Sequence, residues 1–270
     1  MTDNDYHKLG RAVRREIIEI LAASGRGHIA SAFSLVEMLL VLYREVLRVD
    51  PRRPDWEDRD RLILSKGHGC LALYPILADM GFFPREELRE FCAPHGILGG
   101  HPEHNKIPGV EASTGALGHG LSIGVGMALA ARMDAKAHRV FVILGDGECN
   151  EGSIWEAALS ASKHRLGNLV ALVDHNKQQS YGDVAEVLPL EPFADKWRAF
   201  GFEVREADMD RPRELLDILT APRPEDRPLA IICHTVKGKG VSFIERNLKW
   251  HHKSRPSQKE ISDALAELKD

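Results

Sequence analysis

Two short apolar runs, each followed at once by oxygen-bearing side chains, constrain this chain more than any other feature. Arg139-Val-Phe-Val-Ile-Leu144 leads into Gly145-Asp146-Gly147, and Leu169-Val-Ala-Leu-Val173 leads into Asp174-His175-Asn176. Asp146 and Asn176 stand thirty positions apart, with room for one helix between them. A strand, a helix and a strand of this size form a βαβ unit, which brings both strand ends to the same edge of a parallel sheet. Open α/β sheets bind ligands at that edge. A carboxylate and an amide oxygen therefore converge there, beside glycines that let a phosphate approach the backbone. Hard oxygen donors suit a magnesium or calcium ion carrying a diphosphate.

The rest of the chain repeats the alternation. Leu9, Val13, Ile17, Ile20 and Leu21 keep helical spacing over Leu9 to Ala22, and Ser24-Gly-Arg-Gly-His28 then breaks the helix. Ser34-Leu-Val-Glu37 reads as a capping box opening a second apolar helix to about Leu47. Asp50 to Asp60 reads as a surface loop, and Arg61 to Ser65 as a short buried strand. Lys66-Gly-His-Gly69 starts a helix reaching Met80, Pro84 to Cys92 suggests a further helix, and Pro94 to Gly109 is rich in glycine and proline. Gly118 to Met133 is a helix of small residues, the kind that packs closely on a neighbouring backbone. Beyond the βαβ unit, Glu203 to Ala207 and Leu229 to Thr235 read as strands with a helix from Arg213 to Leu219 between them. Ser257-Gln-Lys-Glu260 is a second capping box, opening a terminal amphipathic helix. This order predicts an α/β fold with a doubly wound, mostly parallel sheet flanked by helices. With no internal repeat and only short polar loops, residues 1–270 are expected to form one domain.

Composition removes whole classes of function. A formal charge of −4 gives no nucleic-acid surface, and no apolar run reaches the length that spans a membrane. The acidic start, Met-Thr-Asp-Asn-Asp-Tyr6, lacks a signal-peptide core. Cys70, Cys92, Cys149 and Cys233 are scattered without a Cys-x-x-Cys pair, which fits reduced thiols in a cytoplasm.

Histidine is the unusual count, thirteen in all. His28, His68, His101 and His251 fall in loops where an element begins or ends, and glycine stands beside or near three of them. Glycine there means locally shaped backbone, as a binding loop requires. Imidazole donates, accepts and carries a proton near neutral pH, so clustered histidines suit the handling of hydroxyls and oxyanions. None of the four is paired with another at a spacing typical of metal ligands.

Taken in order, these pieces resemble the N-terminal, diphosphate-binding half of transketolase, a thiamine-diphosphate enzyme. They are Ser24-Gly-Arg-Gly-His28, Asp60-Arg-Leu-Ile-Leu-Ser-Lys-Gly-His68, Gly100-His-Pro-Glu103 and Ser113-Thr-Gly-Ala-Leu-Gly-His-Gly120. Gly145-Asp-Gly-Glu-Cys-Asn-Glu-Gly152, Asp174-His-Asn176, Lys237-Gly-Lys-Gly240 and Trp250-His251 continue the series, so the likeness covers nearly the whole chain. The resemblance implies a thiamine-diphosphate-binding fold in which Asp146, the Asn176 side chain and the Gln178 carbonyl hold magnesium or calcium. It places Gly145, Asp146, Gly147 and Asn176 at the cofactor's diphosphate and Gly115, Ala116 and Leu117 near its aminopyrimidine. His28, His68, His101 and His251 line the reacting end of the thiazolium and handle sugar hydroxyls, His68 also touching the cofactor. Glu151 matches a family glutamate near the subunit interface that helps position the other half's catalytic glutamate. Ile29-Ala30, Ala116, His119 and Gln178 depart from the usual family residues.

The family's second domain supplies the pyrimidine cradle and the activating glutamate, and after Leu248 only a loop and one helix remain. The resemblance therefore implies a split enzyme. With this chain as the N-terminal subunit, the pyrimidine-binding half would come from a C-terminal transketolase subunit in an α2β2 assembly. A two-carbon ketol unit would pass between sugar phosphates. Two alternatives stand beside it. One is a subunit of another thiamine-diphosphate enzyme, a 2-oxoacid dehydrogenase or a deoxyxylulose-phosphate-type synthase; the other is a non-catalytic, partner-binding paralogue. A nicotinamide-binding fold lacks its Gly-x-Gly-x-x-Gly here.

Overall fold

The computed structural model describes residues 1–253 and 255–269. Its five strands are β1 (Arg61–Leu64), β2 (Val140–Gly145), β3 (Leu169–His175), β4 (Glu203–Asp208) and β5 (Leu229–His234). They form one sheet in the order β1-β2-β3-β5-β4, every neighbouring pair parallel. β2 and β3 are buried along their whole lengths, which is why they read as unbroken Val/Ile/Leu runs rather than alternating ones. β4 closes one edge, with Arg205 and Glu206 exposed on it, and charges of this kind discourage pairing with another chain.

Helices cover both faces. On one side lie α1 (Asp3–Ser24), α2 (Ile29–Phe33), α3 (Val36–Val41), α4 (Cys70–Met80), α9 (Pro212–Thr220) and α10 (Gln258–Glu267), packed on Phe141, Ile143, Val170, Leu172 and Ile231. The other side holds α5 (Gly120–Met133), α6 (Gly152–Lys163), α7 (Val184–Val187) and α8 (Phe193–Ala199), packed on Val142, Leu144, Ala171 and Val173. α6 is the crossover between β2 and β3, and the register sets Gly145 opposite Asp174. The sheet is thus doubly wound, as the alternation predicts. The small residues of α5 serve close packing: a Cβ at Gly124 would sit 2.5 Å from Val142 Cγ2. At the start of the same helix, a Cβ at Gly120 would sit 2.2 Å from Ser65 Oγ and 2.8 Å from Ser65 Cα.

Three local expectations need correction. α1 starts at Asp3 rather than Leu9, because Thr2 and Asp5 form a capping box that apolar periodicity does not register. Ser34 and Glu37 are not a capping box, since the chain is already helical from Ile29. Ser34 Oγ instead donates to Asp174 Oδ2 at 2.7 Å, and buried Glu37 accepts from Arg14 at 2.8 and 2.6 Å. Burial pushes the Glu37 carboxyl up, but the Arg14 guanidinium outweighs it and holds the group below its usual range. Finally, Pro84 to Cys92 holds a tighter 3₁₀ segment over Arg85–Glu90, ended by Cys92 at φ +59°. The terminal capping box at Ser257 and Glu260 is present, and α10 docks on α1, where Arg15 Nη1 donates to the Leu265 carbonyl at 3.1 Å.

Candidate active site

The carboxyl ends of β1, β2, β3 and β5 meet at one buried carboxylate, Asp174. Its Oδ2 accepts from Ser34 Oγ at 2.7 Å and Asn176 Nδ2 at 3.0 Å, and pairs with Lys66 Nζ; its Oδ1 accepts from the Thr235 hydroxyl. Burial alone would push Asp174 up, but Lys66 and these hydroxyls hold it below the usual carboxylate range. The Asn176 amide is oriented by this contact, and its Oδ1 accepts from the Gln178 N–H at 3.1 Å.

Asp146 follows β2 and accepts from the N–H groups of Gly147 at 2.7 Å and Lys177 at 2.5 Å. Burial, reinforced by the Asp174 carboxylate, pushes Asp146 up to about 7. A divalent cation would restore its ionised form. Glu148 ties three loops together: it accepts from Gly118 N at 2.9 Å, from Gly145 N at 3.0 Å and from the Ser65 hydroxyl. Burial raises it as well.

Of these, Lys66, Asp146, Glu148, Asn176 and Gln178 form the floor of a cavity of about 430 Å³. The four histidines singled out in the sequence gather in its wall. The His28 ring lies 5.5 Å from His68, 6.5 Å from His101 and 6.2 Å from His251, with His68 and His251 6.1 Å apart. His252 joins them, 5.5 Å from His28 and 4.4 Å from His251. Burial is the main reason that His28 falls below the usual histidine range, His68 well below it, and His251 to about 3, with neighbouring imidazoles and lysines adding to it. The rings of His28, His68 and His251 are thereby uncharged at neutral pH, free to donate and accept hydrogen bonds.

The remaining expected residues sit around the same space. Gly115, Leu117, Gly145, Gly147 and Glu151 line the cavity, while Ala116 is exposed and does not. Gly115 takes φ +137°, and a Cβ there would stand 2.8 Å from the His101 ring. The Gln178 carbonyl accepts from Lys237 Nζ at 3.1 Å. Sequence reading missed Ser31, Lys66, Glu148, Lys237 and His252 as site residues. Lys66, Glu148 and Lys237 lie inside quoted motifs, and for Lys66 the adjacent Gly67-His68 was the available signal.

The donor set fits an oxygen-bound dication with a diphosphate. Asp146, Asn176 and Gln178 supply oxygens, and two buried ammonium groups, Lys66 and Lys237, line the same cavity. Burial, with Lys66 nearby, lowers Lys237 to about 8, so an added anion would be welcome there. Ser31 Oγ, Gln179 Nε2 and His251 Nδ1 line the cavity as buried polar atoms without a hydrogen-bond partner among the described residues, as a polar ligand requires.

Fold and site together define a diphosphate-binding α/β protein whose histidine-walled cavity opens at the carboxyl edge of a parallel sheet. Residues 6–267 match the family model described as transketolase, thiamine diphosphate binding domain. Among similar proteins, one of the subunits of apulose-4-phosphate transketolase from Actinobacillus succinogenes is 42% identical over 268 residues, 99% of this chain and 97% of its own. The 6-deoxy-6-sulfo-D-fructose transketolase subunit SqwG of a Clostridium species is 41% identical, covering 98% of this chain and 96% of its own. Solved transketolases from Leishmania mexicana and Campylobacter jejuni superpose with TM-scores of 0.88 each, at 29% and 28% identity, over 97% and 98% of this chain. The chain spans only 41% and 43% of those two. It belongs to the transketolase family, as the thiamine-diphosphate-binding domain. In extent it corresponds to the N-terminal subunit of a split transketolase.

Proposed function

We propose that this chain, joined to a C-terminal partner subunit, transfers a two-carbon ketol unit from a ketose phosphate to an aldose acceptor. The observation that carries the reading is the gathering of His28, His68, His101 and His251 over the Asp146, Asn176 and Gln178 oxygens in one cavity. Asp146, Asn176 Oδ1 and the Gln178 carbonyl hold magnesium or calcium, and Gly145, Gly147 and His68 receive the diphosphate with Lys66 and Lys237 behind it. Bound thiamine diphosphate supplies the carbon nucleophile that accepts the ketol unit. Gly115, Ala116 and Leu117 present backbone beside the aminopyrimidine. Uncharged His28 and His251 hold or move a proton at sugar hydroxyls, and His101, exposed at the mouth, binds the hydroxyls of the transferred unit.

The partner reading rests on the mouth. Leu117 and Tyr181 are 38% and 89% exposed there, and Glu151 stands at the rim, where a second subunit would bury them and reach the pyrimidine. An α2β2 assembly places two such sites between unlike subunits. Residues 1–270 act as one domain in this assembly. Among the described residues no helix is long and apolar enough to cross a membrane, and the four cysteines are free thiols, in keeping with a cytoplasmic enzyme.

The test is reconstitution of the chain with the product of the adjacent reading frame, thiamine diphosphate and magnesium. Ketol transfer from a ketose phosphate is expected of the mixture and of neither polypeptide by itself. Full activity of this chain by itself would end the split-enzyme reading, and pyruvate outperforming ketose as donor would move it to another thiamine-diphosphate class.

A further inference from the structure

One side chain in the cavity has no part in the proposed ketol transfer. His252 shares a 2.6 Å hydrogen bond between its Nε2 and Ser180 Oγ, a contact between residues 72 positions apart in the chain. Its ring stands 4.4 Å from His251 and 5.5 Å from His28, and both His252 and Ser180 line the cavity. Yet His252 is exposed where His251 is buried, so it marks the outer end of the histidine wall. The Ser180 bond fixes one ring nitrogen. The other remains for a ligand, as a donor in one tautomer and an acceptor in the other. A sugar hydroxyl meets either need, because it both donates and accepts.

We infer that His252, held by Ser180, is a specificity-determining residue that reads a hydroxyl on the sugar beyond the two carbons nearest the reaction. This rests on the ketol-transfer reading. Its place at the end of the cluster decides which part of the sugar it meets: the proposed function sets the reacting carbons among His28, His68, His101 and His251, and only a longer chain extends past them to His252. His252 thus acts on substrates by length, through a group that a two-carbon aldehyde does not possess.

The experiment uses the reconstituted complex, with glycolaldehyde and a panel of four- to six-carbon aldoses and aldose phosphates as acceptors. His252→Ala is expected to raise KM for the longer acceptors about three- to tenfold, the loss of one neutral hydrogen bond, with kcat and the glycolaldehyde KM within about twofold of the parent. His252→Asn, which keeps a donor and an acceptor, recovers part of the loss. Ser180→Ala raises KM less, and in the double variant adds nothing to His252→Ala, since both act through one contact. Calorimetric binding of the longer acceptors follows the same order and is read with or without turnover. Equal KM changes for glycolaldehyde and the longer sugars, or acceptor binding unaltered by His252→Ala, would overturn the assignment. A parent complex that binds aldoses through His252 but transfers no ketol unit counts instead against the proposed function.

Discussion

Asp174→Asn is a sharp perturbation of the site because it changes one charge and almost no volume. The carboxylate takes four side-chain donors: Ser34, Lys66, Asn176 and Thr235. An asparagine offers one oxygen in their place and presents an amide that needs an acceptor, so some of these buried donors lose their partner. Lys66 and Asp174 are 3% and 0% exposed, and the lysine would stand in the interior without its counter-charge. Breaking a buried pair of this kind costs about 3–5 kcal/mol. For a chain of this size that lowers Tm by roughly 6–20 °C. The pH dependence gives a second reading. Folding depresses the Asp174 carboxyl, so its contribution is complete above the unfolded value of about 3.9 and is lost as pH falls through the lower folded one. Parent and variant should therefore differ fully at pH 7 in urea unfolding and converge only in strong acid. Lys66→Met should cost a similar amount, and the double variant much less than the sum. A loss under about 1 kcal/mol at pH 7, or simple additivity, would refute the hub.

Asp146→Ala should abolish metal-dependent binding of thiamine diphosphate by the reconstituted complex; calorimetry showing unchanged affinity would remove Asp146 from the ligand set. Folding lowers His251 from 6.5 to about 3, so the unfolded chain binds a proton that the folded one refuses, and stability falls as pH drops between those values. His251→Asn should flatten that fall by up to about 1.4 kcal/mol per pH unit, and an identical slope in urea titrations from pH 6 to 4 would argue against it. Gly120→Ala puts a methyl group against the Ser65 backbone and should cost about 1–3 kcal/mol, read as a lower urea midpoint. A midpoint equal to the parent's would show that α5 has room to retreat.

What the sequence disclosed follows from the range of the forces involved. β2 and β3 were legible because burial on both faces demands unbroken apolar runs, and the oxygen-bearing residues directly after them mark the ligand edge. The loop histidines were legible through their glycines. Ser34 misled because its local pattern is that of a capping box, while its partner Asp174 lies 140 positions away. No window of sequence carries that distance. His252 was obscured by its neighbour: adjacency says nothing of where two rings point, and here a loop turn sends both into one cavity. α8 went unseen because its seven residues are too few to show a helical period.

The docking of α10 on α1 sets an order of events in time. Lys237 and His251 lie in the segment between β5 and α10, whose far end is held where Glu267 accepts from Ser242 N at 2.6 Å and Ser242 Oγ at 2.9 Å. A ribosome completes Asp146 and Asn176 about ninety residues before Glu267, on the order of ten seconds earlier. Until Lys237 is made, the growing chain carries Asp146 and Asn176 without one of the two buried ammonium groups that line the cavity with them. α1 waits for α10, whose docking holds the far end of the segment that carries Lys237 and His251.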